Sequence, residues 1–166
     1  MILAVDVDYR SDSAVVAGIL FQRWSDEQPS RVISTTVAPV KPYISGEFYR
    51  RELPCILKLL HLLDKRPETI VIDGHVYLGE ERRPGLGKYL YDALDGTVAI
   101  IGVAKRAFKV MPEDSAVYRG QSTRPLYVTA VGIVEELTRE SIRTMSGAYR
   151  IPALLKRLDQ ICRRRF

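Results

Sequence analysis

The order in which strand-like and helix-like segments follow one another is the strongest constraint on the fold of this chain. Two apolar runs at residues 2–9 and 14–22 are joined by a polar turn, and a third run rich in Val, Ile and Thr covers residues 31–40. These runs predict three consecutive antiparallel strands. From about residue 48 to residue 63 the apolar residues recur at helical spacing, which predicts a helix directly after the three strands.

The remainder of the chain predicts alternating strands and helices. Further strands are expected at residues 69–73, 97–103, 116–119 and 126–130, and further helices at residues 86–94, 133–145 and 151–164. Three antiparallel strands followed by parallel βα units predict an α/β protein with a mixed β-sheet flanked by helices. This order resembles the ribonuclease H-like fold, in which acidic residues from the first strand and from a later neighbouring strand meet at a metal site.

Length and composition are those of an ordinary globular protein. With 166 residues, of which 46% are apolar and 27% charged, the chain is expected to form one domain over residues 1–166. No apolar run reaches the roughly 18 residues that a membrane-spanning helix needs, and Met1 leads into the first strand without a signal-peptide pattern. Two cysteines in predicted helices favour a reducing compartment over a disulfide framework. We therefore expect a cytoplasmic monomer that does not bind membranes.

Basic residues outnumber acidic ones and permit a polyanionic partner. The formal net charge is +5 and the sequence pI is about 9.3. Basic residues cluster at residues 82–83, at Lys105 and Arg106 with Lys109 nearby, and at residues 163–165. Such clusters are compatible with nucleic-acid binding, but by themselves they more often form a solvated surface.

Three carboxylates lie where a metal-dependent nuclease would need them. Asp6 lies inside the first predicted strand, Asp73 ends the strand at residues 69–73, and Glu52 falls on the first helix. A carboxylate in an apolar strand is unfavourable unless it is paired or binds a metal, and Mg²⁺ prefers a few carboxylates together with water and phosphate oxygens. Taken singly, each acid is more often a cap or a surface group. Together they indicate a shared Mg²⁺ site, with Asp6 and Asp73 as direct ligands and Glu52 bound directly or through a water.

Other residues extend this hypothesis toward a phosphate and a base. Lys105 follows an apolar strand, where it either binds the scissile phosphate or begins a surface loop. Tyr43 and Ile44 lie in a stiff loop at residues 42–46, which either wedges between bases or packs as an ordinary loop. His75, two residues beyond a predicted strand end, either contacts a ligand or has a structural role.

Five segments, in order along the chain, resemble the motifs of the endonuclease V family. They are Val5-Asp6-Val7-Asp8-Tyr9, Pro42-Tyr43-Ile44-Ser45-Gly46 with Arg51-Glu52, Asp73-Gly74-His75, Gly102-Val103-Ala104-Lys105, and Tyr149-Arg150-Ile151-Pro152 followed by Asp159. Each short motif is weak by itself. Five of them in the family's order, between residue 4 and about residue 160, are specific.

The resemblance implies a metal-dependent endonuclease with Mg²⁺, or Mn²⁺ as a substitute. It implies cleavage of inosine-containing DNA or RNA one phosphodiester beyond the base on its 3′ side, leaving 3′-hydroxyl and 5′-phosphate ends. At the matching positions, Asp6 and Asp73 would bind the metal and Glu52 would complete the acidic site. Lys105 would contact phosphate, and Asp159 would lie near the metal ligands.

The remaining matches imply a base-binding site. Tyr43 and Ile44 would form a wedge beside a pocket for a flipped base. Gly46 and Gly74 would let the backbone close around that base, and His75 joins them as a nucleic-acid-binding residue.

The chain departs from the family pattern at residues 76–83 and at two other places. The second histidine that usually follows the DGH motif is missing, a later Gly-His reads Gly132-Ile133, and Ser45 replaces the usual proline. Glu80 is a candidate replacement ligand. Three functions stay open: an active inosine-directed endonuclease, a nucleic-acid-binding relative that has lost cleavage, and a metal-dependent nuclease with a different damaged or structured substrate.

Overall fold

One seven-stranded sheet organises the part of the chain that the structure describes. The structure is a computed structural model and describes residues 1–164, so that Arg165 of the predicted basic cluster lies outside it. The strands are β1 (Ile2–Tyr9), β2 (Ala14–Phe21), β3 (Arg31–Val37), β4 (Thr69–Asp73), β5 (Tyr77–Leu78), β6 (Arg83–Pro84), β7 (Ala99–Ala104), β8 (Ala116–Val117) and β9 (Leu126–Val131). The helices are α1 (Tyr49–Leu60), α2 (Leu86–Ala93), α3 (Glu135–Arg143) and α4 (Ala153–Cys162). Within residues 1–164, none of them has the length and apolar character needed to cross a membrane.

The sheet has the order β3-β2-β1-β4-β7-β9-β8, which places three strand ends at one edge. β1 pairs antiparallel with β2 and parallel with β4, β4 pairs parallel with β7, and β9 runs antiparallel to β7. This mixed sheet is the ribonuclease H-like arrangement that the sequence predicted. The register pairs Val5 with Ile72 and Asp73 with Val103, so the carboxyl ends of β1, β4 and β7 lie side by side.

The central strands divide their side chains between two cores because successive residues of a strand point to opposite faces. Leu3 and Val5 pack into the core formed with α1 and α2, whereas Ile2 and Ala4 pack into the core formed with α3 and α4. By the same alternation, Asp6 lies on the α4 face of the sheet. The fold therefore places this carboxylate between a buried strand and the last helix.

The structure corrects several predicted boundaries. β3 ends at Val37 rather than at residue 40, because Pro39 has no N–H for the strand ladder. α3 and α4 start later than predicted, α4 at Ala153 rather than at residue 151. The sequence did not predict the β5–β6 hairpin, whose turn contains Gly79 with φ +68° and Arg82 with φ +54°.

Candidate active site

Two carboxylates lie side by side at the carboxyl edge of the central strands. Asp6 follows Val5 in β1, Asp73 follows Ile72 in β4, and Val5 is paired with Ile72. Burial, followed by the charge of Asp73, raises the pKa of Asp6 to about 6, because both effects disfavour the charged form. The N–H of Val7, which donates to Oδ1 of Asp6 over 2.9 Å, offsets only part of this shift.

Glu52 reaches the same site from the other face of the sheet. It lies in the first turn of α1, which packs against β2 and β3, and it is only 5% exposed. Burial, followed by the charges of Asp73 and Asp6, raises the pKa of Glu52 to about 8. The three carboxylates therefore repel one another in one partly desolvated site.

A cation and a fourth carboxylate complete the acidic pocket. Nζ of Lys105 lies 3.4 Å from Oδ2 of Asp73. Asp159 of α4 contributes to the raised pKa of Asp6, and its Oδ1 accepts a hydrogen bond from Nε of Arg163 over 2.8 Å. Asp6, Asp73, Lys105 and Asp159 all line one pocket with about 410 Å³ of empty space, part of it open to solvent. The structure thus brings these predicted residues together.

The donor set suits a hard divalent cation, although the side chains do not form a closed metal cluster. Among residues 1–164, no group of three or more His, Cys, Asp or Glu side chains is arranged to hold an ion. However, Oε2 of Glu52 is buried and has no hydrogen-bond partner in the described chain, and the neighbouring carboxylates raise its pKa further. A divalent cation would offset this repulsion and provide the orphaned oxygen with a partner.

Tyr9 and Arg51 surround Glu52, although the sequence motifs that contain them assigned them no role. The guanidinium of Arg51 lies 3.8 Å from the centroid of the Tyr9 ring. Burial, followed by the charge of Glu52, raises the pKa of Tyr9 far above its usual range. Within the described chain, Oη of Tyr9 and Nε of Arg51 are also buried without a partner. These two atoms and Oε2 of Glu52 therefore form a group of unsatisfied polar atoms where α1 meets the acidic site.

The loop at residues 42–46, here called the wedge loop, is exposed and lies outside the acidic pocket. Tyr43 is 60% exposed and Ile44 is 47% exposed. The rings of Tyr43 and Phe48 meet edge to face with centroids 6.3 Å apart, and Phe48 meets Tyr9 in the same way at 6.4 Å. Aromatic contacts therefore connect the wedge loop to the acidic site, while its own side chains stay available to a partner.

Glycines shape the backbone around the site in two ways. Gly46 has φ +78° and Gly74 has φ +150°, and a Cβ at either position would meet no described atom within 4 Å. This space is compatible with the close approach of a ligand. In contrast, a Cβ at Gly102 would lie 2.5 Å from the carbonyl oxygen of Gly74 and 2.8 Å from the backbone N of Val76. Gly102 is therefore required for β7 to pack against the chain just beyond Asp73.

His75 and Glu80 lie outside the acidic pocket. Nε2 of His75 lies 3.0 Å from the carbonyl oxygen of Arg106, and burial lowers the pKa of the imidazole. Glu80 lies in the turn between β5 and β6, where it lines a groove with Phe108 and Val110. The segment that departs from the family pattern, residues 76–83, thus forms a hairpin. Glu80 lines a different groove from the pocket that Asp6 and Asp73 line, so it does not join these carboxylates as a ligand.

Two arginines that received no role from the sequence fix the loop before α4. Arg119 is 4% exposed, and it donates hydrogen bonds to the carbonyl groups of Arg143, Met145, Gly147, Tyr149 and Arg150. Arg150 donates in turn to the carbonyl groups of Lys105 and Pro125. The loop is therefore tied to the end of β7, from which Lys105 extends.

Comparisons of the sequence with known proteins identify its relatives. The family model for endonuclease V matches residues 1–145. An endonuclease V of Streptomyces coelicolor is 29% identical over 98% of this chain and 77% of its own length. An endonuclease V of Streptomyces avermitilis is 31% identical over 98% of this chain and 79% of its own length.

Solved structures of the same family share the fold. The crystal structure of endonuclease V from Streptomyces avermitilis has a TM-score of 0.73 and 28% identity, covering 98% of this chain and 79% of that one. A crystal structure of Ciona intestinalis endonuclease V, in complex with a 24mer DNA containing an inosine followed by a ribo-adenosine, has a TM-score of 0.78 and 20% identity, covering 98% and 84%. From the family model and the identity to these endonucleases, we conclude that the chain belongs to the endonuclease V family.

Proposed function

We propose that this chain is a metal-dependent endonuclease that cleaves the phosphodiester 3′ to inosine or other deaminated bases in DNA or RNA, with residues 1–166 as one catalytic domain. Membership of a family of endonucleases supports phosphodiester hydrolysis. The Ciona relative in complex with inosine-containing DNA supports the substrate class. The observation that carries the proposal is the cluster of Asp6, Glu52 and Asp73, in which two acids have raised pKa values because the carboxylates share one partly buried site.

The cofactor in this proposal is Mg²⁺, with Mn²⁺ as a substitute. Asp6 and Asp73 would hold the ion directly, and Glu52 would complete the site directly or through a water. When bound, the ion activates a water and stabilises negative charge on phosphoryl and leaving oxygens. Asp159 lies beside Asp6, where its hydrogen bond from Arg163 fixes its orientation toward the pocket.

Lys105 is the group proposed to bind the scissile phosphate. Its Nζ lies beside Asp73 at the pocket rim, and Arg150 holds its backbone carbonyl. A phosphate above the carboxylates would replace Asp73 as the partner of Nζ. The ammonium group would then lie where negative charge develops during cleavage, which is the position at which a fixed charge accelerates the reaction.

The wedge loop is the element proposed to hold the modified nucleotide out of its stack. Exposed apolar side chains such as Tyr43 and Ile44 fill the gap that a flipped base leaves behind. Gly46 and Gly74 offer open backbone for that base. His75, in the same segment as Gly74, is proposed to contact the nucleic acid, with its ring positioned by the 3.0 Å contact between Nε2 and the carbonyl oxygen of Arg106.

The test is cleavage of an oligonucleotide that carries one inosine, in the presence of Mg²⁺. The wild type should cut one phosphodiester beyond the inosine and leave a 5′-phosphate, and Asp6→Asn should not cut. The exposed acid Asp64, whose side chain is 94% exposed, provides the matched control Asp64→Asn. The same oligonucleotide with adenine in place of inosine tests specificity.

Two outcomes would replace this proposal. Salt-sensitive binding without cleavage in Mg²⁺ or Mn²⁺ would indicate a nucleic-acid-binding relative that has lost cleavage. Equal cutting of the adenine oligonucleotide would indicate a nuclease with another substrate. Matched DNA and RNA oligonucleotides decide between the two sugars, because contacts to the 2′-hydroxyl distinguish them.

A further inference from the structure

A second groove adjoins the acidic pocket on the α4 side. It is lined by Lys105, Tyr149, Arg150, Ile151, Lys156 and Asp159. Lys105, Ile151 and Asp159 also line the acidic pocket. The two spaces are therefore continuous, and a strand whose phosphate lies over the carboxylates can extend into this Tyr149 groove.

Tyr149 presents an exposed ring on a fixed backbone. It is 75% exposed, although its carbonyl oxygen accepts a 2.6 Å hydrogen bond from Nη1 of the buried Arg119. The next residue, Arg150, donates to the carbonyl groups of Lys105 and Pro125. The main chain is thus held at Tyr149 and at the residue that follows it, while the aromatic side chain is exposed to solvent. Such a preorganised platform loses little conformational freedom when a ligand stacks on it.

Positive charge flanks this ring. Nζ of Lys156 lies 6.0 Å from the centroid of the Tyr149 ring, and Lys105 lines both this groove and the acidic pocket. The carboxylate of Asp159 is engaged by Arg163, which weakens its repulsion of a phosphate. An aromatic face between ammonium groups is the arrangement that binds single-stranded nucleotides through stacking and phosphate contacts.

The Tyr149 groove and the wedge loop lie on opposite sides of the carboxylates. The wedge loop precedes α1, which packs into the core on one face of the sheet, and Tyr149 precedes α4, which packs into the core on the other face. A strand with its flipped base at Tyr43 and its scissile phosphate over Asp6 therefore leaves the site toward α4.

We propose that the Tyr149 groove binds the nucleotide that follows the scissile phosphate on its 3′ side. Tyr149 stacks on the base of this nucleotide, and Lys156 binds its 3′ phosphate. The polarity of this assignment rests on the proposed function, in which the nucleotide is the second one 3′ of the inosine. Every base has a stacking face, so the groove adds affinity and position without reading sequence.

A binding cycle tests the stacking contact. Wild type and Tyr149→Ala are titrated in EDTA with single-stranded inosine oligonucleotides that carry either a base or an abasic site at the second nucleotide 3′ of the inosine. Each change alone should raise Kd roughly tenfold, and the two together should raise it no further. Tyr149→Phe should bind like the wild type. Tyr118→Ala removes a ring that is 57% exposed outside the groove, and it should leave the abasic effect intact.

The salt dependence of binding tests the phosphate contact. Lys156→Ala should reduce the slope of log Kd against log salt by about 0.7, the value for one phosphate contact on a single strand. Lys65→Ala is the matched control, because Lys65 lies beside Met1 at the other end of the sheet. It should leave the slope unchanged.

The outcomes separate this groove from the proposed function. Additive losses in the binding cycle, or coupling of Tyr149 to an abasic site 5′ of the inosine, would overturn the groove assignment even if the wild type cuts at inosine. Coupling at the predicted nucleotide in a protein that does not cleave would support the groove and overturn the nuclease proposal.

Discussion

The acidic site and the wedge loop lie at opposite extremes of solvation. Glu52 is 5% exposed and its pKa is raised, whereas Tyr43 is 60% exposed. A buried carboxylate is unfavourable until a cation or proton compensates its charge, and an exposed ring is unfavourable until an apolar surface covers it. Each region is thus relieved by a different partner, an ion in one case and a base in the other. From this contrast we expect substitutions in the acidic site to reduce cleavage and substitutions in the wedge loop to reduce recognition of the base.

Removing a carboxylate from the acidic site should have the largest effect. Asp73→Asn should lower the single-turnover cleavage rate at least about 10³-fold, because the site loses a metal ligand and a charge that orders the metal. Its Kd for inosine DNA should change little, since the wedge loop is untouched. Asp12→Asn, in the exposed turn between β1 and β2, is the matched control. A parallel loss of binding and cleavage would contradict the assignment of cleavage to the acidic site and of recognition to the wedge loop.

Removing the ammonium group at the pocket rim should have the next largest effect. Lys105→Ala should reduce the cleavage rate roughly 10²-fold, because a fixed charge is lost where negative charge develops. Lys105→Arg should recover part of the rate, since it keeps the charge, and single-turnover kinetics measures both variants. Unchanged cleavage in Lys105→Ala would remove Lys105 from phosphate binding and leave it as an ion-pair partner of Asp73.

A substitution in the wedge loop should act on recognition instead. Tyr43→Ala should raise the KM for inosine DNA roughly tenfold, a typical loss for one aromatic stacking contact, while kcat at saturation stays within about threefold of the wild type. Tyr43→Phe should behave like the wild type, and steady-state kinetics on inosine and adenine oligonucleotides measures the selectivity. A fall in kcat without a change in KM would assign Tyr43 to the acidic site.

The last expected effect concerns stability rather than activity, and it is a pH dependence of unfolding in the metal-free protein. The folded-state pKa of Glu52 is raised from 4.5 to about 8, so the folded protein binds this proton more tightly than the unfolded chain does. The resulting stabilisation is complete below pH 4.5 and is lost as the pH rises toward 8. Thermal unfolding in EDTA should show a midpoint that falls between pH 5.5 and pH 8.

Glu52→Gln isolates this contribution. Its midpoint should exceed that of the wild type at pH 8, and the difference should shrink toward pH 5.5. Glu47→Gln, at a partly exposed position ahead of α1, is the matched control and should behave like the wild type. An equal difference at both pH values would mean that Glu52 does not titrate in this range.

The sequence predicted best the features that strand periodicity determines. Asp6 and Asp73 could be assigned to one edge because parallel strands end together and an acid followed each apolar run. The sequence could not show that Glu52 would be only 5% exposed, because this depends on how α1 rotates onto the sheet. It also missed Arg119, whose acceptors are backbone carbonyl groups that lie 24 to 31 residues away and have no residue-type signature.

The hairpin at residues 77–84 could not be predicted from the sequence for a different reason. Residues 77–84 lack the alternation of a strand pair, and their hairpin depends on positive φ values at Gly79 and Arg82. A left-handed arginine is not visible in a residue pattern, since this conformation is uncommon for residues other than glycine. The missing family histidine therefore signalled a change in this loop without revealing its shape or the position of Glu80.

Asp6, Glu52 and Asp73 are proposed to form one cation site, and calorimetric titration with Mn²⁺ at pH 7.5 measures whether they bind an ion together. Titrations in buffers of different ionisation enthalpy also give the number of protons released. The wild type should bind Mn²⁺ and release a proton from Glu52, because the ion requires the ionised carboxylate. Asp6→Asn should bind far more weakly, and Glu52→Gln should release no such proton. Equal Mn²⁺ binding by the wild type and Asp6→Asn, with equal proton release by Glu52→Gln, would show that these three carboxylates do not form one cation site.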